Sequence, residues 1–375
     1  MAISIENRIY KKMFKKINLR LIKFFNFLGT FFIGSRNSKT KNHVYFYPEI
    51  KHMNKVMKKL FKQPQLQLSP FDNLIPFKFE TDDHVILSGL QYISNPDSEK
   101  WLIACHGFGE DKYWALYATK PFIELGYNIL VFDFRNHGES EKNQPVTMGI
   151  LEQKDLLAAM QWLNENKKYK HLGLLGISMG AFVINIVQAK DEALMKKYLL
   201  KFSISDVTYG SIQSLLLHIR NMFFKRIFQK KSVIKKIKKI IECQNEETKL
   251  NWNEINIFKL YEKDGKKSSI PTLFTHGLND LITPPTDSYR LFADRKLFSP
   301  LDEILIYDFS AHGFSLKEHF ISQAYHWIKF ENKVIGTDKK ISIKALENMG
   351  IDENTILNNK EEKYEINTFY FSGKE

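Results

Sequence analysis

The chain has 375 residues, of which 43% are hydrophobic and 26% charged. That is enough apolar material for one large packed domain with extensions, and it excludes a disordered polypeptide. Two cysteines, Cys105 in an apolar run and Cys243 in a polar one, exclude a disulfide framework and a cysteine-based zinc site. The formal charge of +13 is concentrated in residues 1–63, where 15 Lys and Arg face only Glu6 and Glu49, so the rest of the chain is neutral overall. Nine further cations lie in His218 to Ile241, so the body left over is acidic and the cations ride on apolar stripes. A nucleic-acid partner would instead need basic residues interleaved with exposed aromatics on a neutral or basic body.

Residues 1–34 carry Tyr10, Met13, Phe14, Ile17, Leu21, Phe24, Phe25, Leu28 and Phe32 at helical spacing, with Lys11, Lys12, Lys15 and Lys16 largely off that stripe. The pattern is that of a basic amphipathic segment lying on anionic lipid. Its uncharged run, Phe24 to Ser35, is twelve residues long, short of the roughly 20 that a spanning helix requires. No A-x-A cleavage site follows, which disfavours a signal peptide. Residues 35–75, punctuated by Pro48, Pro64 and Pro70, read as a linker with one short helix around Asn54 to Phe61.

From residue 76 the pattern becomes that of a domain ending near residue 330. Phe77 and Phe79, then Val85, Leu87, Leu90 and Tyr92, predict two antiparallel strands. Apolar runs at Trp101–Cys105, Asn128–Phe132, His171–Ile177, Tyr198–Ile204, Thr272–Thr275 and Glu303–Tyr307 predict further strands. Helical periodicity falls between them at Tyr113–Leu125, Met148–Asn164, Met179–Ala189 and, after the last strand, Lys317–Phe330. Alternating strands and helices predict an α/β fold, with a mostly parallel central sheet and helices on both faces. Residues 207–268 are too long for a simple crossover and read as a helical lid insertion. Within them His218 to Ile241 holds nine cations and no acid, and the stripe breaks near Gln229 to Ser232. Residues 331–375 alternate charge with short apolar clusters and read as a partly disordered tail.

Gly176-Ile177-Ser178-Met179-Gly180 sits where a buried strand turns into an apolar helix. Such a turn lifts a serine above the sheet edge, as a nucleophile elbow does. The pentapeptide alone is weak, and its meaning depends on partners at neighbouring strand ends. His106-Gly107-Phe108-Gly109 follows the strand ending at Cys105, where the amides of Phe108 and Met179 can hold an oxyanion. Asp280, in His276-Gly277-Leu278-Asn279-Asp280, stands just past another strand and can orient an imidazole. His312 follows the strand ending at Tyr307, in position to serve as general base. The order Ser178, Asp280, His312 is that of α/β-hydrolases and not of other serine-hydrolase folds. Asp206 is an alternative acid position, ranked behind Asp280. Asp133, Arg135, His137 and His106 are assigned structural roles. No cofactor is implied, and no ligand spacing for a metal is present.

Phe77 to Phe330 resembles a serine α/β-hydrolase of the branch that includes monoacylglycerol lipase-like and serine-aminopeptidase-like proteins. The likeness is carried by His106-Gly107-Phe108-Gly109-Glu110, by Asp133-Phe134-Arg135-Asn136-His137-Gly138-Glu139-Ser140, by Gly149 to Leu156, by the elbow, and by His276 to Asp280 with Pro284. One departure is Asn136, where the family usually has glycine. The resemblance implies the α/β-hydrolase fold and a Ser178–His312–Asp280 triad. The expected activity is cleavage of a carboxylic ester or thioester, with a lipid-like or acyl-chain substrate favoured by the basic apolar segments. An aminopeptidase or amidase of the same fold, or an inactive membrane-bound scaffold, are the alternatives. The expected location is a membrane surface, at its cytoplasmic face or, alternatively, with the hydrolase domain anchored outside.

Overall fold

The computed structural model describes residues 50–69, 71–142, 146–224, 230–264, 268–352, 354–355, 361–365 and 368–371. The basic leader, residues 1–34, lies outside them.

Helix α1, Ile50–Lys55, opens the described chain and continues through a π-helical turn, Val56–Leu60. The segment expected to be a linker is instead part of the core: Ile50, Met53, Val56, Met57, Phe61, Leu66 and Leu68 are all buried in it. The Tyr117 hydroxyl donates to the Ile50 carbonyl at 3.0 Å and lies 2.6 Å from Asn54 Oδ1. Interleaved lysines and the nearby prolines disguise an apolar stripe whose fully buried members each contribute about 1.5–3 kcal/mol.

Strands β1, Leu74–Glu80, and β2, Ile86–Tyr92, pair antiparallel in the expected hairpin. Then come β3, Lys100–Cys105; helices α2, Lys112–Ala118, and α3, Lys120–Glu124; and β4, Asn128–Phe132. One helix was expected where α2 and α3 stand. Pro121 near the start of α3 lacks the N–H that would continue the ladder, so the chain bends at Thr119. Helix α4, Glu152–Asn166, begins four residues later than predicted, because Met148 (φ 53) and Gly149 (φ 104) adopt left-handed backbone. The Glu152 carboxylate ties that turn by accepting from Thr147 N at 2.9 Å and Gly149 N at 2.7 Å.

Strand β5, His171–Ile177, runs into α5, Met179–Lys190; α6, Glu192–Lys197, leads to β6, Leu200–Asp206. The insertion between β6 and β7 is helical, with α7, Ile212–Phe224, α8, Lys230–Thr248, and α9, Ile257–Asp264. Of the break expected near Gln229 to Ser232 between two short helices, Gln229 lies outside the described residues, and Lys230 to Ser232 belong to α8. On α8 Ile237 and Ile241 are buried in one cluster with Trp252, Ile255 and Phe258, whereas Ile234 is exposed. Strand β7, Thr272–Gly277, helix α10, Pro285–Arg295, and strand β8, Glu303–Tyr307, complete the expected alternation. The last predicted helix is split at His319 into α11, Ser315–Glu318, and α12, Phe320–Ile335.

The C-terminal segment is not the loose appendage its composition suggests. It contributes α13, Lys339–Asn348, and strands β9, Glu361–Glu365, and β10, Thr368–Phe371. Strand β10 adds parallel to β8, and β9 adds antiparallel to β10. Phe369 and Phe371 are buried in the core, with Phe371 5.0 Å from the Tyr307 ring. The charge-rich sequence of β9, Glu-Glu-Lys-Tyr-Glu, is why this segment reads as tail.

Among the described residues the strands form one sheet in the order β1-β2-β4-β3-β5-β6-β7-β8-β10-β9. From β4 to β10 all pairs are parallel. Two large apolar clusters pack against it, one built around Phe122, Phe202, Trp327 and Phe330, the other around Phe132, Leu156, Met160 and Val183. Burial on both faces makes the central strands continuous apolar runs, and it directs function to the loops at their carboxyl ends.

Candidate active site

Four of those carboxyl-end loops meet above β5. Ser178 follows β5 directly and holds φ 54, ψ −112, a strained conformation for a side-chain-bearing residue that costs of order 1–3 kcal/mol. The flanking glycines make it possible. A Cβ on Gly176 would lie 2.5 Å from the Gly180 backbone, and one on Gly180 would lie 2.3 Å from the Cys105 carbonyl. Helix α5 therefore starts in direct backbone contact with β3, and no larger residue fits at either position. The turn is pinned by Ser178 N–H donating to the Asp206 carbonyl at 2.9 Å.

His312 comes from the loop after β8 and reaches Ser178: its Nε2 is 2.9 Å from Ser178 Oγ, and its Nδ1 is 2.7 Å from Asp280 Oδ2. Asp280 stands in the loop after β7. Its Oδ1 accepts the N–H groups of Ile282 at 2.7 Å and Thr283 at 2.9 Å. Its Oδ2 is also 2.6 Å from Thr283 Oγ1 and 3.1 Å from His276 Nε2. Burial alone would raise the Asp280 pKa. The charges and hydrogen bonds of His312 and His276 outweigh burial and hold the group well below the usual carboxylate range. In His312, burial favours the neutral ring, but the Asp280 charge and hydrogen bond, with Glu110 and Asp206 behind them, raise its pKa above 6.5. If His312 serves as general base it must be neutral. Activity therefore falls as pH drops through that raised pKa, and kcat/KM measured against pH places the acid-limb midpoint above 6.5.

Asp206 ends β6 and is buried, with Oδ1 unpaired, and burial pushes it up to about 7. Its carboxylate adjoins the site electrostatically, but His312 directs its Nδ1 at Asp280. The turn after β3 brings Gly107 against Ser178: a Cβ there would sit 3.3 Å from Ser178 Cβ. Phe108 follows in that turn, half-buried and edge-on to His137 at 5.9 Å. Met179 opens α5, where first-turn N–H groups have no helical acceptor.

The remaining charged and ring-bearing groups of the neighbouring loops serve structure. His106 accepts Phe134 N–H on Nε2 at 3.0 Å, which leaves Nδ1 to donate to the Gly107 carbonyl at 2.7 Å. Arg135 pairs with Asp155 and Asp83, and Asp133 with Lys112. Asn136 has φ 64, so the asparagine occupies a left-handed position that glycine or asparagine tolerates. Sequence reasoning gave two groups no role. Thr283 braces Asp280, and Glu110 accepts Gly107 N–H at 2.7 Å. His218 of α7 is a third contact of this kind, donating from Nε2 to the Asp280 carbonyl at 2.9 Å. The insertion is also tied down where Asp287 accepts Gly210 N–H at 2.8 Å. Among the described residues no cluster of three or more His, Cys, Asp or Glu is arranged to hold a metal.

A family model described as serine aminopeptidase, S33, matches residues 96–316. The chain belongs to this family. Curated relatives are similar over a shorter stretch. One is an uncharacterized protein of Bacillus subtilis strain 168, YqkD, 33% identical over 93 residues, which is 24% of this chain and 30% of that protein. Another is an uncharacterized 31.7 kDa protein of Escherichia coli, 26% identical over 94 residues, 24% of this chain and 33% of that one. The match thus spans about a third of the length of these relatives.

Solved structures extend the likeness to most of the chain. An esterase from Pyrococcus furiosus aligns with a TM-score of 0.55 at 23% identity, covering 72% of this chain and 96% of that one. An acylaminoacyl peptidase from Pyrococcus horikoshii aligns at 0.52 and 17% identity, covering 70% and 41%. At these identities the likeness is one of fold. Together with the family match, it shows the α/β-hydrolase fold.

Proposed function

We propose that the chain is a serine hydrolase that cleaves carboxylic esters or thioesters of lipid-like or acyl-chain substrates. The observation that carries this reading is the aligned series Asp280 Oδ2, His312 and Ser178 Oγ, with separations of 2.7 and 2.9 Å. Ser178 Oγ attacks the carbonyl while His312 Nε2 takes its proton, and Asp280 stabilises the imidazolium. The amides of Phe108 and Met179 receive the developing oxyanion. Collapse expels the alcohol or thiol, protonated by His312. Water, deprotonated by the same imidazole, then releases the acid from Ser178.

Support for an acyl-chain substrate comes from the rim. Leu278 and Leu281 flank Asp280, Phe309 precedes His312 by three residues, and Met222 lies one helical turn from His218; each is about half exposed. An amidase or aminopeptidase is favoured by a different observation, the extra carboxyls of Glu110 and Asp206 near His312, which would suit a substrate ammonium. A panel of p-nitrophenyl esters of increasing chain length against aminoacyl amides tests the two. The expected result is higher kcat/KM for the esters, rising with chain length; faster turnover of aminoacyl amides overturns the ester reading.

The reading also assigns the protein to an anionic membrane surface through residues 1–34, a lid role to residues 207–268, and no nucleic-acid partner. For the membrane contact, the full chain is expected to sediment with vesicles containing phosphatidylserine, and a chain lacking residues 1–34 to remain in the supernatant. Equal partitioning of the two would remove the leader from the account. Among the described residues no helix is long and apolar enough to cross a membrane.

A further inference from the structure

Glu110, in the turn between β3 and α2, has no part in the steps above, yet it closes that turn on itself. Its Oε2 accepts Gly107 N–H at 2.7 Å, and its own N–H donates to the Gly107 carbonyl at 3.3 Å. Gly107 is thereby held between a carboxylate and the nucleophile: a Cβ at this position would meet Glu110 Oε2 at 2.9 Å and Ser178 Cβ at 3.3 Å. The chain passes through Phe108 and Gly109, the latter at φ 80, before Asp111 caps α2 by accepting Tyr113 N–H at 3.0 Å. The helix cap anchors the far end of the turn, and Glu110 anchors the near end. The peptide between them is the one whose N–H is assigned to the oxyanion.

We infer that Glu110 is a positioning residue for the oxyanion turn, fixing Gly107 so that the Phe108 N–H stays directed at the reacting carbonyl. The inference rests on the Ser178 reading given above. An oxyanion donor works through prior alignment, so a donor on an untethered turn loses most of its effect even when the residue itself is intact.

The charge of Glu110 has a second consequence. His312 is faced by carboxyls from three elements: Asp280 after β7, Asp206 at the end of β6, and Glu110 after β3, with His276 adjoining Asp280. Burial raises the Glu110 pKa, offset in part by the Gly107 hydrogen bond and the His312 charge. Ionised Glu110 and Asp206 both favour the imidazolium, so removing either charge lowers the His312 pKa.

The test measures kcat, KM and pH dependence on a p-nitrophenyl acyl ester with the full chain, alongside the rate of fluorophosphonate labelling at Ser178. Glu110→Gln keeps an oxygen for Gly107 N–H. It is expected to hold kcat within about threefold of wild type at pH 8 and to move the acid limb to lower pH. Glu110→Ala loses the tether and is expected to drop kcat about 30- to 100-fold, with KM changed less than about threefold. Should Glu110→Ala fail to fold, Glu110→Asp, one methylene short of the N–H, takes its place with the same expectation. A kcat within threefold of wild type in the untethered variant, or an equal loss in Glu110→Gln, overturns the inference while leaving Ser178 as nucleophile. A folded wild type that is neither labelled nor active overturns the Ser178 reading and this inference with it.

Discussion

Ser178→Ala is expected to lower kcat by about 10³- to 10⁶-fold while leaving the fold intact. The hydroxyl contacts His312 Nε2 at 2.9 Å, and the elbow itself is held by the Ser178 backbone, through Asp206, and by the close packing of Gly176 on Gly180. Alanine tolerates φ 54 no better and no worse than serine, since both carry a Cβ. The variant should therefore unfold within a few degrees of wild type, and the loss of turnover belongs to the chemistry. A fluorophosphonate should modify wild-type protein at Ser178 alone and leave the variant unmodified, as read by intact-mass and peptide mass spectrometry. Turnover surviving in the alanine variant, or labelling at another serine, would mean that the nucleophile lies elsewhere.

The elbow was legible in the sequence because its demands are severe. Only glycine fits at 176 and 180, and the apolar runs on either side are the buried strand and the helix behind it. Asp280 and His312 were legible for a related reason: each stands in the loop just past a short apolar strand, and parallel strands bring those loops to one sheet edge. The parallel sheet came from the same runs.

What the sequence concealed depends on tertiary partners. Met53, Met57 and Leu66 become core because Tyr117 and its neighbours cover them, and local composition, rich in Lys and Pro, carries no trace of that cover. Strand β10 needs the open edge of β8, and β9 needs β10. Neither edge is visible in the short segments that fill them, one aromatic and uncharged, the other charged. Glu110 was named within its motif but given no role, because only the folded turn brings its carboxylate back onto Gly107 N–H. The late start of α4 followed from left-handed Met148, a conformation no propensity assigns to methionine.

The choice between the two buried acids is the sharpest remaining question of mechanism, and paired substitutions should separate them. Asp280→Asn removes the charge facing His312 Nδ1 at 2.7 Å and lets an amide N–H compete for that position, favouring the wrong imidazole tautomer. A fall in kcat of about 10³- to 10⁴-fold is expected near neutral pH. Asp206→Asn removes a carboxyl that titrates near 7 and leaves the His312–Asp280 hydrogen bond in place. Its kcat at pH 8 should stay within about fivefold of wild type, with the acid limb displaced to lower pH because one charge favouring the imidazolium is gone. The backbone carbonyl of residue 206, which accepts Ser178 N–H, is untouched by either change. A larger loss in Asp206→Asn than in Asp280→Asn would reverse the assignment. It would make the strand-end carboxylate of β6 the partner of His312 during turnover, with the acid loop after β7 reduced to a brace.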